Sequence, residues 1–275
     1  MPFINIRDVS YYYEFENQKT ETIVLISGLK ADHTSWATIV PELSKQYNVL
    51  TIDNRGIGQT KDNRKSFEID DLADDILEII YELKIDRPHI VGHSMGGAIA
   101  QSLAYKYPDK IASATFCNTF IKFNQEAAKF FSEDVEKLYA NGKSQGEIME
   151  AIIPWVFDES FINPELVALI KKMSDENLYP QSMEDYRRQC DALCKFDSAR
   201  WISLLQVPTL VIGSSEDKTA TLEESKLLHQ SIPKSELKLL KGGHASAVEQ
   251  TMPLLDALLS FCNAQNLIYK KVSLK

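Results

Sequence analysis

Short runs that are apolar or β-branched from end to end punctuate this chain: Thr22-Ile23-Val24-Leu25-Ile26, Val49-Leu50-Thr51-Ile52, His89-Ile90-Val91 and Thr209-Leu210-Val211-Ile212. A strand with one face in water alternates apolar and polar residues. A run without that alternation belongs to a strand covered on both faces, as in a mostly parallel sheet. Helical patterns lie between the runs: Leu72, Ile76, Ile79, Ile80 and Leu83 recur at helical spacing, with aspartates and glutamates on the outer face. This order predicts an α/β protein with a mostly parallel central sheet, helices on both its faces and right-handed crossovers. Phe3–Ile6 and residues 11–15 read as two further short strands, and Glu16-Asn17-Gln18-Lys19 as a connecting turn.

The rhythm breaks after Ala114-Thr115-Phe116-Cys117-Asn118. From about residue 119 to 196 no strong strand run appears, and helix-forming stretches fill residues 125–141, 144–157, 164–175 and 182–195. The expected organisation is a core of residues 1–118 and 197–275, with residues 119–196 as a helical lid over one end of the sheet. A chain of 275 residues, 44% of them hydrophobic, is long enough to bury such a core. The rhythm resumes as far as Phe261, and residues 269–275 read as a basic, polar end that frays.

Charge narrows the function classes. A net charge of −9 argues against nucleic acid and anionic membranes, which call for a concentrated positive surface. The N-terminus has no basic segment followed by a long apolar one, so no signal peptide is expected. No apolar run approaches the roughly 18 residues of a membrane span. Cys117, Cys190, Cys194 and Cys262 are scattered, and Cys190 and Cys194 have no histidine or further cysteine nearby to complete a zinc site. A reduced, cytoplasmic protein without metal or organic cofactor is expected.

One motif carries chemistry. Gly92-His93-Ser94-Met95-Gly96 matches G-x-S-x-G, with a predicted strand before it and a helical run after it. Such a turn holds the serine in a strained conformation at a helix N-terminus, which makes Ser94 the candidate nucleophile. A serine hydroxyl needs a base, and the base needs an orienting acid. In the chain order that goes with this elbow the base comes last, which leaves His229 and His244 and sets aside His33, His89 and His93. His229 falls inside a predicted helix; His244 falls in a glycine-bearing loop after a strand-like run and is preferred. Asp217, in the loop after Leu210-Val211-Ile212, is the first choice for the acid and Glu216 the second; a turn or capping carboxylate is the plainer reading of either. The oxyanion of ester attack needs two donors. The backbone N–H groups of Met95 and of Leu29, in Ser27-Gly28-Leu29, are the candidates.

With these residues in place, the sequence resembles the α/β-hydrolase fold family over essentially its whole length. The matching segments are Ser27-Gly28-Leu29, Asp53-Asn54-Arg55-Gly56-Ile57-Gly58, residues 92–97, residues 214–217 and Gly243-His244. The resemblance implies a nucleophile, acid and base at Ser94, Asp217 and His244, a packing role for Trp36 and a structural one for Arg55. Two positions depart from the common pattern: Ser27 stands where many members carry histidine, and Ser214 where glycine often precedes the acid. A serine nucleophile argues against the haloalkane dehalogenase and epoxide hydrolase branches. The implied activity is hydrolysis of a carboxylic ester of a small-molecule or acyl-chain substrate. Lactone, thioester or C–C hydrolysis, perhydrolysis and acyl transfer are alternatives on the same triad, and a non-turnover ligand-binding receptor is an alternative of another class.

The expected lid is rich in aromatic residues, and Trp155, Phe123 and Phe157 are candidates for lining the substrate pocket. It also carries Lys122, Lys129, Lys171, Lys172, Arg187 and Arg188. Such residues could dock an acidic acyl-carrier protein, as in the carrier-protein methyl esterases of this family, or simply form a solvated face.

Overall fold

The structure, a computed structural model, describes residues 2–273, with side chains described through Ile268. The reading of residues 269–275 as a fraying end falls largely outside this set, although the last helix continues to Ser273. The strands are β1 (Phe3–Ile6), β2 (Val9–Phe15), β3 (Thr22–Ile26), β4 (Asn48–Ile52), β5 (His89–His93), β6 (Ser113–Cys117), β7 (Thr209–Ser214) and β8 (Ser235–Leu240). They form one sheet in the order β1-β2-β4-β3-β5-β6-β7-β8. β1 pairs with β2 and β2 with β4 in antiparallel register; every other pairing is parallel.

The continuous apolar runs have a direct physical reason. Val24 and Ile26 of β3 enter one core, while Ile23 and Leu25 enter the other, and β7 divides Val211 from Leu210 and Ile212 in the same way. Both faces are dry, so no position along these strands favours a polar residue.

The helices are α1 (Val40–Leu43), α2 (Ile69–Glu82), α3 (Met95–Lys106), α4 (Gln125–Lys129), α5 (Val135–Ala140), α6 (Gln145–Val156), α7 (Pro164–Asp175), α8 (Met183–Lys195), α9 (Leu222–Ser231), α10 (Ser246–Glu249) and α11 (Thr251–Ser273). The apolar stripes of α2 and α3, with Leu228 of α9, cover one sheet face; Leu43 of α1, Trp36 and the Leu254, Leu255 and Leu258 stripe of α11 cover the other. Each such Leu or Ile contributes roughly 1.5–3 kcal/mol by leaving water. Among the described residues, no helix is long and apolar enough to cross a membrane.

The chain steps from β3 outward to β4, then back across β3 to β5. The loops after β3 and β5 therefore leave the sheet side by side at a point where strand order reverses, which opens a crevice at their carboxyl ends. Helices α4–α8 occupy the connection between β6 and β7. The two ends of this insertion meet in an isolated antiparallel bridge between Lys122 and Asp197, beside the Ser198 N–H to Ile121 carbonyl bond (3.0 Å). The single helix predicted over residues 125–141 is interrupted by a wider, π-type turn at Phe130–Asp134. The Phe131 carbonyl within this turn accepts the Tyr186 hydroxyl at 2.8 Å, a partner more than fifty residues away.

Candidate active site

Ser94 stands between β5 and α3 with its backbone at φ 55°, ψ −119°. A side chain held there costs on the order of 1–3 kcal/mol, so the surroundings must impose the conformation. Its N–H donates to the Cys117 carbonyl (3.0 Å), and its carbonyl accepts from Gly97 N–H (2.8 Å) and the Thr119 hydroxyl (2.8 Å). The closeness of this turn explains its flanking glycines. A Cβ on Gly92 would lie 2.0 Å from the Gly96 carbonyl oxygen, and one on Gly96 would lie 2.0 Å from that of Ile26.

His244 follows β8 in a loop, buried, and shares a cavity with Ser94. Its Nδ1 is 2.8 Å from Asp217 Oδ2, at the carboxyl end of β7. Asp217 is fully engaged: Oδ2 also accepts from Asn118 Nδ2 (2.9 Å), and Oδ1 accepts the N–H groups of Thr219 and Ala220 (2.8 Å each). An ionised carboxylate has about four acceptor positions, so this one is held from every side. Because it can only accept, His244 presents a proton at Nδ1, and in the neutral ring Nε2 carries the free lone pair. Ser94 makes no direct hydrogen bond to His244 here; such contacts commonly tighten only with substrate bound.

The alternatives separate cleanly. Glu216 is exposed, and only its backbone is bound, to the Gly242 carbonyl. His229 lies in α9 with Nδ1 2.8 Å from the Ser235 hydroxyl, away from the cavity. Arg55 is buried against Asp75 (2.6 and 2.8 Å) and does not line the cavity.

The cavity has a volume of about 230 Å³ and is walled mainly by apolar side chains from core and insertion. Leu29 and Ser94 lie on its core side, Phe123 and Phe157 on the other. Neither Leu29 N–H nor Met95 N–H, the first of α3, finds a protein acceptor among the described residues. Ser27, where histidine is common, donates its hydroxyl to the Asp32 carbonyl (2.9 Å) and so closes the loop after β3 on itself. Ser214 meets Asn118 Nδ2 at 2.9 Å, in the same network that holds Asp217.

The expectation for Trp155 is corrected. Met149, Ile152 and Val156 form the α6 stripe facing the cavity, and the Trp155 ring lies to one side of it, stacked on Phe130 at 4.6 Å. What Trp155 offers the site is backbone. Its carbonyl accepts the Thr219 hydroxyl (2.9 Å), and the next carbonyl, of Val156, accepts Ala245 N–H (2.7 Å). These are unpaired carbonyls of a helix C-terminus, and they bind one residue near Asp217 and one beside His244.

Residues without a sequence signal complete the picture. Asn118 was visible only as the end of a strand run, and its φ of 46° and its bonds to Asp217 and Ser246 depend on tertiary structure. His93 packs against His244, the tilted rings 4.6 Å apart, and donates Nε2–H to the His244 carbonyl (2.8 Å), steadying that loop. Burial, with His244 acting in the same direction, pushes the His93 imidazole down to about 4, so it is neutral. Asp32, His33 and Asp53 have ligand atoms within 4.8 Å of one another, but Asp53 already accepts from His33 and Gln59 and serves to fasten the loop.

Residues 21–251 match the family model described as the alpha/beta hydrolase fold. The chain is 29% identical to a putative carbamate hydrolase RutD of Stutzerimonas stutzeri, over 88% of this chain and 92% of that protein. It is 27% identical to 3-oxoadipate enol-lactonase 1 of Acinetobacter baylyi, over 89% of each. The crystal structure of the enol-lactonase from Burkholderia xenovorans LB400 superposes with a TM-score of 0.85 at 25% identity, over 95% of this chain and all of that one.

Proposed function

The chain belongs to the α/β-hydrolase fold family, and from that premise we propose that it hydrolyses a carboxylic ester, open-chain or cyclic, through an acyl-enzyme on Ser94. The observation that carries this reading is the convergence, in one largely apolar cavity, of a strained serine and a histidine oriented by a fully bonded aspartate. Ser94 Oγ attacks the carbonyl carbon while His244 Nε2 takes its proton, and Asp217 stabilises the imidazolium that forms. The carbonyl oxygen becomes an oxyanion between the N–H groups of Leu29 and Met95, both free to receive it. Collapse expels the alcohol, protonated by His244. Water, deprotonated by the same histidine, then releases the acid.

The two curated relatives quoted bear the names of a lactonase and a carbamate hydrolase. Both names describe attack on an acyl carbon bearing a heteroatom, which the same constellation performs. A cavity of about 230 Å³ favours a compact acyl group over a long chain. A docked carrier protein has no comparable support. Lys122, Lys171, Lys172, Arg187 and Arg188 each pair with an acidic side chain, so most of the expected basic face is already neutralised. The insertion acts as a lid in this reading, contributing the apolar wall opposite Ser94.

The test is steady-state hydrolysis of p-nitrophenyl esters of increasing acyl length, alongside simple lactones. Short acyl groups are expected to be preferred, and Ser94→Ala to lower kcat by roughly 10⁴-fold or more. Undiminished turnover by a folded Ser94→Ala protein would sink the proposal.

A further inference from the structure

The cavity wall contains one feature that the hydrolytic machinery does not use. Lys30, next to the donor Leu29, is half-buried, and among the described residues lining the cavity it is the one lysine or arginine, with no carboxylate beside it. Its Nζ donates to the Tyr139 hydroxyl and to Gln145 Oε1, both at 2.7 Å. Both partners are neutral, and an ammonium has three donors. No carboxylate among the described residues forms an ion pair with it, in contrast to the lysines and arginines of the insertion just named. Its backbone adds a second cost, since Lys30 sits at φ 59°, where a side chain is disfavoured.

We infer that Lys30 is a specificity residue that takes a carboxylate on the substrate, so that the preferred esters are half-esters or lactones of dicarboxylic acids. This rests on the ester-hydrolase reading above and names its substrate class. A partly buried cation held only by neutral partners is unfavourable until an anion arrives, and a substrate carboxylate reaching Lys30 from the cavity would supply the missing charge and accept the third N–H. Burial pushes the ammonium down to about 8, which still leaves it mostly protonated at neutral pH. The rival is a latch that ties the loop after β3 to the insertion. A latch needs no charge, and the neutral contact from Lys30 N–H to Gln189 Oε1 (3.3 Å) already crosses the same gap.

The experiment compares monomethyl with dimethyl esters of the dicarboxylic acids from succinate to pimelate, followed by pH-stat titration at neutral pH. Wild type should prefer one of the monomethyl esters, and its length would report the spacing from Ser94 to Lys30. In Lys30→Met the ratio of kcat/KM for monomethyl over dimethyl ester should fall by roughly tenfold or more, the worth of a charge-assisted hydrogen bond. Lys30→Arg should recover part of it. A ratio unmoved in Lys30→Met, whether or not both activities fall together, overturns the inference in favour of the latch. So does a wild type that prefers the dimethyl esters throughout.

A binding measurement separates this inference from the reading beneath it. The free dicarboxylates should raise the Tm of Ser94→Ala and leave that of Ser94→Ala with Lys30→Met unshifted. If no ester is turned over but this difference appears, the hydrolase reading fails and the carboxylate site stands. If esters are turned over and the difference is absent, the carboxylate site fails alone.

Discussion

Asp217 shows how a single side chain can carry both a geometry and a tautomer. In Asp217→Asn the amide oxygen is expected to keep the Thr219 and Ala220 N–H groups. The amide NH2 would then face Asn118 Nδ2 and His244 Nδ1, turning an acceptor into a donor. Histidine answers by accepting at Nδ1 and carrying its proton at Nε2, where it cannot act as a base. A fall in kcat of roughly 10³–10⁴-fold with little change in Tm is the expected outcome; activity within tenfold of wild type would mean that another group orients the base. Ser94, His244 and Asp217 were legible in the sequence because each sits beside a local signal: an elbow, a glycine-bearing loop, an acid after a strand. Asn118, His93 and Lys30 were not, because what they do depends on partners about a hundred or more residues distant.

Among elements, the β5–α3 turn is the least tolerant. Its glycines bring α3 against the carboxyl end of β3, and Gly96→Ala sets a methyl 2.0 Å from the Ile26 carbonyl oxygen, which cannot rotate away. A loss of about 3 kcal/mol or more in urea unfolding is expected, near the upper end for overpacking; a loss under about 1 kcal/mol would show that the two elements can part. The strands were readable because burial on both faces writes itself into composition, and α2 and α3 because helical periodicity is local. The break at Phe130–Asp134 left no mark, since the shift from one hydrogen-bond register to another is stabilised by Tyr186 across the insertion. Trp155 was misplaced for a different reason: its aromatic identity pointed to the pocket, while its place on α6 turned the ring to Phe130.

At the scale of the whole molecule, buried neutral histidines set an acid limit. Burial holds both His89 and His93 below the ordinary histidine value, His93 at about 4. A base whose folded pKa lies below its unfolded one binds its proton first in the unfolded chain. Stability from these groups is therefore complete above about pH 6.5 and is lost as pH falls towards 4. Urea midpoints should drop between pH 7 and pH 5, and His93→Asn should flatten that drop; an unchanged slope in the variant would assign the loss to carboxylates instead. The net charge of −9 is a sum, and it does not tell that the cations of the insertion are spent on neighbouring acids. Sign and number are properties of a sequence, whereas pairing belongs to the fold.

The last turn of α6 holds both the loop of the acid and the loop of the base through two consecutive carbonyls. The insertion and the loops that carry Asp217 and His244 thus form an interlock. α6 cannot swing clear of the cavity without releasing Thr219 and Ala245, so on the proposed mechanism any opening of this wall would also loosen the loops that carry Asp217 and His244.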